Sequence, residues 1–294
     1  MISRRFDSVA ALVDYASATD YTKTTTDASD MLKMRFNRVN DLDAEWFGIQ
    51  PGTVPMTTAQ SLAAHGWPEG VERIRESLDN LGEIIAPVSI RRRRVWADQG
   101  DAVDMGKVWA GNCESAWSRT ARLTTRAPAV VTIWIPLSIS YKAAADALFW
   151  RGAALVAVAD ALTTAGYSVG INAYKHDPVC VKLRSNSTKK QRGDIVDIVT
   201  TVKAPDAPLD VSTLAACVAN PCFIRGLSYA ATIRAACEGG QKIMHGLAWP
   251  SENDPPYMPA TDIGGLHFAT TQEAARRWCN ETLARFGSDN RMAA

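Results

Sequence analysis

Between residues 130 and 174 an apolar run, a long alanine-rich stretch and a second apolar run follow one another, an order that points to an α/β fold. The first run is Val130, Val131, Thr132, Ile133, Trp134 and Ile135, and it stops at Pro136, Leu137, Ser138, Ile139 and Ser140. The alanine-rich stretch ends at Gly166, and the second run covers residues 167–174. Short β-branched runs on either side of a helix-length segment read as strand, crossover helix and strand. Such a unit predicts two parallel strands, with the connecting loop at the carboxyl end of the first. Open α/β sheets bind their ligands at that edge.

The rest of the chain narrows the class. Its 294 residues are 47% hydrophobic, enough for a substantial core. Thirty-two basic against 31 acidic residues leave a formal charge of +1, so no global field draws the protein to DNA or anionic lipid. Nineteen glycines and 14 prolines are too few for a fibre or a disordered chain. Six cysteines include no C-x-x-C pair, which argues against a zinc ribbon or redox motif. Residues 1–7 carry no apolar signal region, and no run approaches 18 apolar residues. A reduced, cytoplasmic protein with no membrane partner is expected.

Apolar spacing predicts a short helix over residues 6–15, a threonine-rich loop over 19–30, and one or two helices over 58–78 broken near Gly66 and Gly70. Residues 84–96 read as a strand containing Arg91, Arg92, Arg93 and Arg94. Four successive arginines must point to both faces, which places that strand at an edge or outside the main core. The clearest boundary lies at residues 124–128. After the second apolar run, Lys175, His176, Asp177 and Pro178 read as a turn, followed by strands over 179–183 and 195–202. Asp210 opens a helix over 214–219, and further helices are expected over 228–237 and 272–286. The predicted fold is a three-layer α/β domain with a mostly parallel sheet over residues 126–294. A more helical, irregular region with the arginine-rich strand occupies 1–125.

The unit at 130–174 resembles the first strand, first helix and second strand of a von Willebrand factor A-type domain. That family ends its first strand in a D-x-S-x-S metal motif. Ser138 and Ser140 stand at the two serine positions, and Pro136 replaces the aspartate. The stretch from Trp150 through Leu162 to Tyr167 is similar to the branch that includes cobalt-chelatase accessory subunits. The layout from Leu209 to Arg225 resembles uncharacterised proteins of bacteriophages and mobile elements. The resemblance implies an assembly role, cytoplasmic or virion-associated. It does not imply a working metal site, because a hard divalent ion needs carboxylate charge that two serine hydroxyls lack. Serines there also cap a loop-to-helix turn.

No complete catalytic set is visible. The four histidines form no H-x-x-x-H pair, and neither a phosphate loop nor a G-x-S-x-G elbow occurs. Catalytic residues, metal ligands and cofactors are therefore expected to be none. The candidate binding residues are Ser138, Ser140, His176 and Asp177 at the sheet edge, and Arg91 to Arg94 in the basic strand. The first reading is a noncatalytic protein-interaction module. The second is nucleic-acid association, in which Arg91 to Arg94 meet phosphate and Trp96, Trp109 and Trp117 stack on bases. The third is a metal-assisted hydrolase built on Ser138, Ser140, His176 and Asp177.

Overall fold

The apolar runs become neighbouring strands. A computed structural model describes residues 1–18, 41–79, 92–97, 99, 102–122, 129–138, 143–182, 190–240, 258–259, 261–266 and 269–292. Strand β1 (Ile2–Phe6) leads into helix α1 (Val9–Ser17), followed by α2 (Asp41–Phe47), α3 (Pro55–His65) and α4 (Pro68–Asp79). A small ribbon follows, comprising β2 (Arg92–Ala97), β3 (Ala102–Val103), α5 (Met105–Trp109) and β4 (Trp117–Arg122). The central unit is β5 (Val130–Pro136), α6 (Ala145–Ala165), β6 (Ser168–Lys182) and β7 (Lys190–Lys203). Then come α7 (Val211–Ala219), a π-helical turn (Phe223–Leu227), α8 (Ser228–Glu238) and α9 (Gln272–Met292).

The main sheet has the order β1-β7-β6-β5, with β5 parallel to β6, β6 antiparallel to β7, and β7 parallel to β1. Alternation sorts its side chains. Val131, Ile133, Ile135, Val169, Ile171, Ala173, Val196 and Ile198 share one cluster with the helices. Trp134, Tyr174 and Val199 form a separate cluster on the other face, with Met258 packed against it. Helices α1, α6, α7 and α8 meet the sheet, and α2, α3, α4 and α9 pack outside them, giving a three-layer α/β architecture with a mostly parallel sheet. A middle layer needs helices that are apolar all round. Accordingly α6 buries Leu148, Phe149 and every residue from Arg151 to Ala159, with Arg151 the one charged side chain among them and Trp150 partly buried. It ends at Gly166, whose φ of 95° is left-handed and suits glycine.

Two expectations change. Residue 6 does not begin a helix: Phe6 closes β1, which pairs with residues 196–200, and Ser8 caps α1 by accepting from Ala11 N at 3.2 Å. Residues 1–79 consequently share the main cluster through Val9, Leu12, Ala59, Val71 and Ile74. The stretch from Lys175 to Pro178 is not a turn, because β6 runs on through Lys182 against β7. β5 ends at the level of Tyr174, so β6 is an edge beyond it, where a proline without a donor is tolerated. The register shift between Pro178 and Cys180 falls at that point. Finally, Arg92 to Arg94 lie on β2, the outer strand of a separate three-stranded sheet, in keeping with the edge position anticipated for them.

Candidate functional site

Leu137 N donates to Tyr174 O at 2.7 Å, carrying the β5–β6 ladder one step past the strand. Ser138 follows and is buried. Its carbonyl accepts from Arg151 Nη1 at 3.2 Å. On the α6 side of the junction, the Ala143 carbonyl accepts from Arg225 Nη2, and Arg225 Nη1 donates to Trp46 O. The Arg225 guanidinium also lies 4.6 Å from the centre of the Trp46 ring. Two buried arginines thus hold the two sides of the β5–α6 junction, one on each.

The local sequence explains their position. Arg151 stands two turns into α6, close enough to the carboxyl end of β5 to reach Ser138 O. Arg225 belongs to the π-helical turn that follows Pro221, an irregularity often found at functional sites. Arg151 is 1% exposed, and burial pulls its pKa down to about 10, with Tyr174 opposing and Arg225 adding to the depression. It remains charged at neutral pH. Its Nε and Nη2 have no hydrogen-bond partner among the described residues.

A second constellation crosses three strands. Register puts His176 opposite Asp197 and Asp197 opposite Ser3, so the three stand abreast. His176 Nδ1 lies 3.1 Å from Asp197 Oδ1, and Ser3 Oγ donates to Asp197 Oδ2 at 3.1 Å. Asp197 is 2% exposed. The acid that His176 meets is therefore Asp197 across the ladder. Asp177, next in sequence, pairs through its backbone with Val196. Ser138 belongs with Arg151 and His176 with Asp197. Ser140 and Arg91 lie outside the described residues, as do the side chains of Asp177, Arg92, Arg93 and Arg94. The backbone of β2 sets Arg92 opposite Arg122 and Val95 opposite Arg119.

Arg151, Arg225 and Asp197 escaped the sequence reading, although each carried a signal. A charged residue inside an apolar run is rarely buried unless something pairs with it. Elsewhere, an open cleft of about 540 Å³ lies between residues 264–265 and α9, lined by Arg277, Trp278, Glu281 and Arg285. It coincides with neither constellation, and Trp278 Nε1 is already bonded to Gly264 O. No group of three or more His, Cys, Asp or Glu side chains that could hold a metal ion occurs among the described residues. Helix α6 is long and apolar enough to cross a membrane, yet 67% of its apolar window is buried inside the protein.

Residues 1–288 match a family described as a domain of unknown function, DUF7192. The chain belongs to that family. The family match spans β1 to α9, so both constellations lie within it. No curated protein and no solved structure matches the chain.

Proposed function

We propose that this DUF7192 protein is a noncatalytic interaction module that presents the β5–α6 junction to a protein partner. One observation carries the reading: the junction at the carboxyl edge of the parallel strands is tied on both sides by buried arginines, through Ser138 O and Ala143 O. A recognition loop tied at both sides loses less conformational freedom when a partner binds. The edge itself is where α/β sheets place ligands. Further support comes from the strand, helix and parallel strand of β5, α6 and β6, the order implied by the von Willebrand factor A resemblance. The same resemblance points to a bacterial cytoplasmic setting and to assembly of a phage or mobile element.

The two ends of α6 supply the test. Asp146 is exposed in its first turn, beside the junction, where it pairs with Arg73 at 2.7 Å. Asp160 is exposed about 21 Å away along the same helix. A photo-crosslinking residue at 146 is expected to form a discrete protein adduct in cells that carry the gene, and one at 160 is not. Equal adducts at both positions, or none at 146, would remove the proposal.

The small ribbon favours a second reading, nucleic-acid association. Trp109 is 83% exposed and Trp117 38% exposed, beside a β2–β4 pair that brings Arg92 to Arg122. Exposed aromatics beside cations suit stacked bases and phosphate. Anisotropy titrations with single-stranded DNA and RNA oligonucleotides at low salt test it. A flat response eliminates it, and binding lost on Trp109→Ala supports it.

A further inference from the structure

We propose that the two-stranded ribbon formed by the distal parts of β6 and β7 is a docking arm for duplex DNA, entering the major groove with Lys182, Lys190 and Arg192 as its phosphate-binding positions. The arm involves no residue of the β5–α6 junction or of the β2–β4 ribbon, so it stands or falls independently of both readings above.

The ladder defines the arm. β5 meets β6 only as far as Tyr174, and β1 meets β7 only over residues 196–200. From Pro178 to Lys182 and from Lys190 to Ile195, the two strands pair only with each other among the described residues. Between the pair Pro178 and Ile195 and the pair Cys180 and Arg192, β7 advances three residues while β6 advances two. A bulge of that kind bends a ribbon and tightens its twist, setting the arm off from the sheet. Beyond it the register sets Cys180 opposite Arg192, Val181 opposite Gln191 and Lys182 opposite Lys190. Successive positions of a strand alternate between faces, so positions 182, 190 and 192 fall on one face and the uncharged pair 181 and 191 on the other.

Charge points to the partner. From Val179 to Gly193 the sequence carries five basic residues and no aspartate or glutamate, in a chain whose formal charge is only +1. The nearest acids in sequence, Asp177 and Asp194, stand at the base of the arm. Like charges directly opposite one another across a ladder are destabilising, and Lys182 and Lys190 are so placed. Lysine also guards exposed strands against pairing with other chains, a role that a single charge fills without setting two face to face. A face of one sign repels itself until a polyanion neutralises it. Shape then selects among polyanions. The major groove of B-DNA, about 12 Å wide, admits a two-stranded β-ribbon. The corresponding groove of an RNA duplex is too deep and narrow for side chains to read.

The test uses the whole protein and fluorescein-labelled duplexes of one sequence, as DNA and as RNA, in anisotropy titrations from about 50 to about 200 mM salt. Neutralising three phosphates gives log K against log salt a slope of about −2.7, so affinity for the DNA is expected to fall roughly 40-fold over that range. Each of Lys182→Gln, Lys190→Gln and Arg192→Gln is expected to weaken binding and to make the slope shallower by about 1. Arg75→Gln, an equal loss of charge at an exposed position on α4, is expected to change neither. Lys182→Arg and Lys190→Arg keep the charge and are expected to keep the parental slope, which separates loss of charge from loss of fold. The proposal is overturned if the DNA does not bind at low salt, or if the glutamine variants keep the parental slope. It is equally overturned if the arginine variants lose that slope, or if the RNA duplex binds as tightly as the DNA. Displacement of the DNA by poly-glutamate at equal charge concentration overturns it in favour of an acidic protein partner.

Discussion

A close approach between α6 and α7 permits a prediction whose sign is not the one helix propensity gives. Gly152 lies in the buried stretch of α6, and a Cβ added there would stand 2.3 Å from Ala219 Cβ, 2.7 Å from its Cα and 3.0 Å from its N. Carbon atoms in contact prefer about 3.5–4.0 Å, so the helices would have to part by about 1 Å or more. Two of the three neighbours are backbone atoms and cannot rotate aside. Replacing glycine by alanine inside a helix contributes about 1 kcal/mol of propensity. Overpacking a core costs about 1–3 kcal/mol, and a backbone clash belongs at the upper end. Gly152→Ala is therefore expected to destabilise the protein by about 2 kcal/mol. Gly226→Ala provides the control, since the nearest atom to an added Cβ is Ala59 Cβ at 4.0 Å. There the same substitution is expected to leave stability unchanged or raise it by about 0.5–1 kcal/mol. Urea unfolding followed by circular dichroism measures both. Adding Ala219→Gly to Gly152→Ala is expected to recover part of the loss, with a coupling of at least about 0.5 kcal/mol. If Gly152→Ala proves as stable as the parent, or Gly226→Ala as damaging as Gly152→Ala, the interface does not pack as described.

Other consequences can be measured on the same preparations. Asp197→Ala removes the acceptor of His176 and Ser3 at a buried position and is expected to cost about 2–3 kcal/mol in urea unfolding. Asp210 caps α7 by accepting from Ser212 N, Thr213 N and Thr213 Oγ1, and the Thr213 hydroxyl bond leads in holding its pKa below the usual value. A depressed carboxylate stabilises the fold above its unfolded pKa and loses that contribution as pH falls through the folded value. Asp210→Asn should therefore flatten the acid side of the stability profile below about pH 4. Burial raises the Cys222 and Cys279 thiols to about 12 and also raises Cys217, whereas Cys113 is exposed. Mass-mapped alkylation of the native protein at pH 8 is expected to modify Cys113 well before those three.

What the sequence made legible was local or strongly patterned. β5, α6 and β6 followed from apolar runs of the right length, and the Asp210 cap from residue type and position. The edge position of β2 followed from the impossibility of burying both faces of an arginine run. β1 was hidden because its Ile2, Arg4, Phe6 alternation is short and carries Arg4 and Arg5. Its partner strand lies almost 200 positions away, beyond any local signal. Pro178 suggested a turn by its own chemistry, and the ladder with β7 overrode it where β6 had become an edge. Of the residues singled out, Ser138 was expected in the loop after β5 and His176 in a turn beside Asp177, whereas His176 stands within β6 opposite Asp197. Arg151 was passed over because a charge on a helix usually marks the solvent side, and only an outer layer of helices turns that side inward.

The pairing of β1 with β7 also bears on how the chain is made. Ser3 and Asp197 are 194 positions apart, and synthesis at about 5–20 residues per second separates their emergence by roughly 10 to 40 s. Throughout that interval the amino-terminal segment has no ladder to join, and afterwards β7 offers a bare flank until the segment returns. Newly made chains are thus most prone to cross-pairing with one another late in translation, and holdase chaperones have their natural window there.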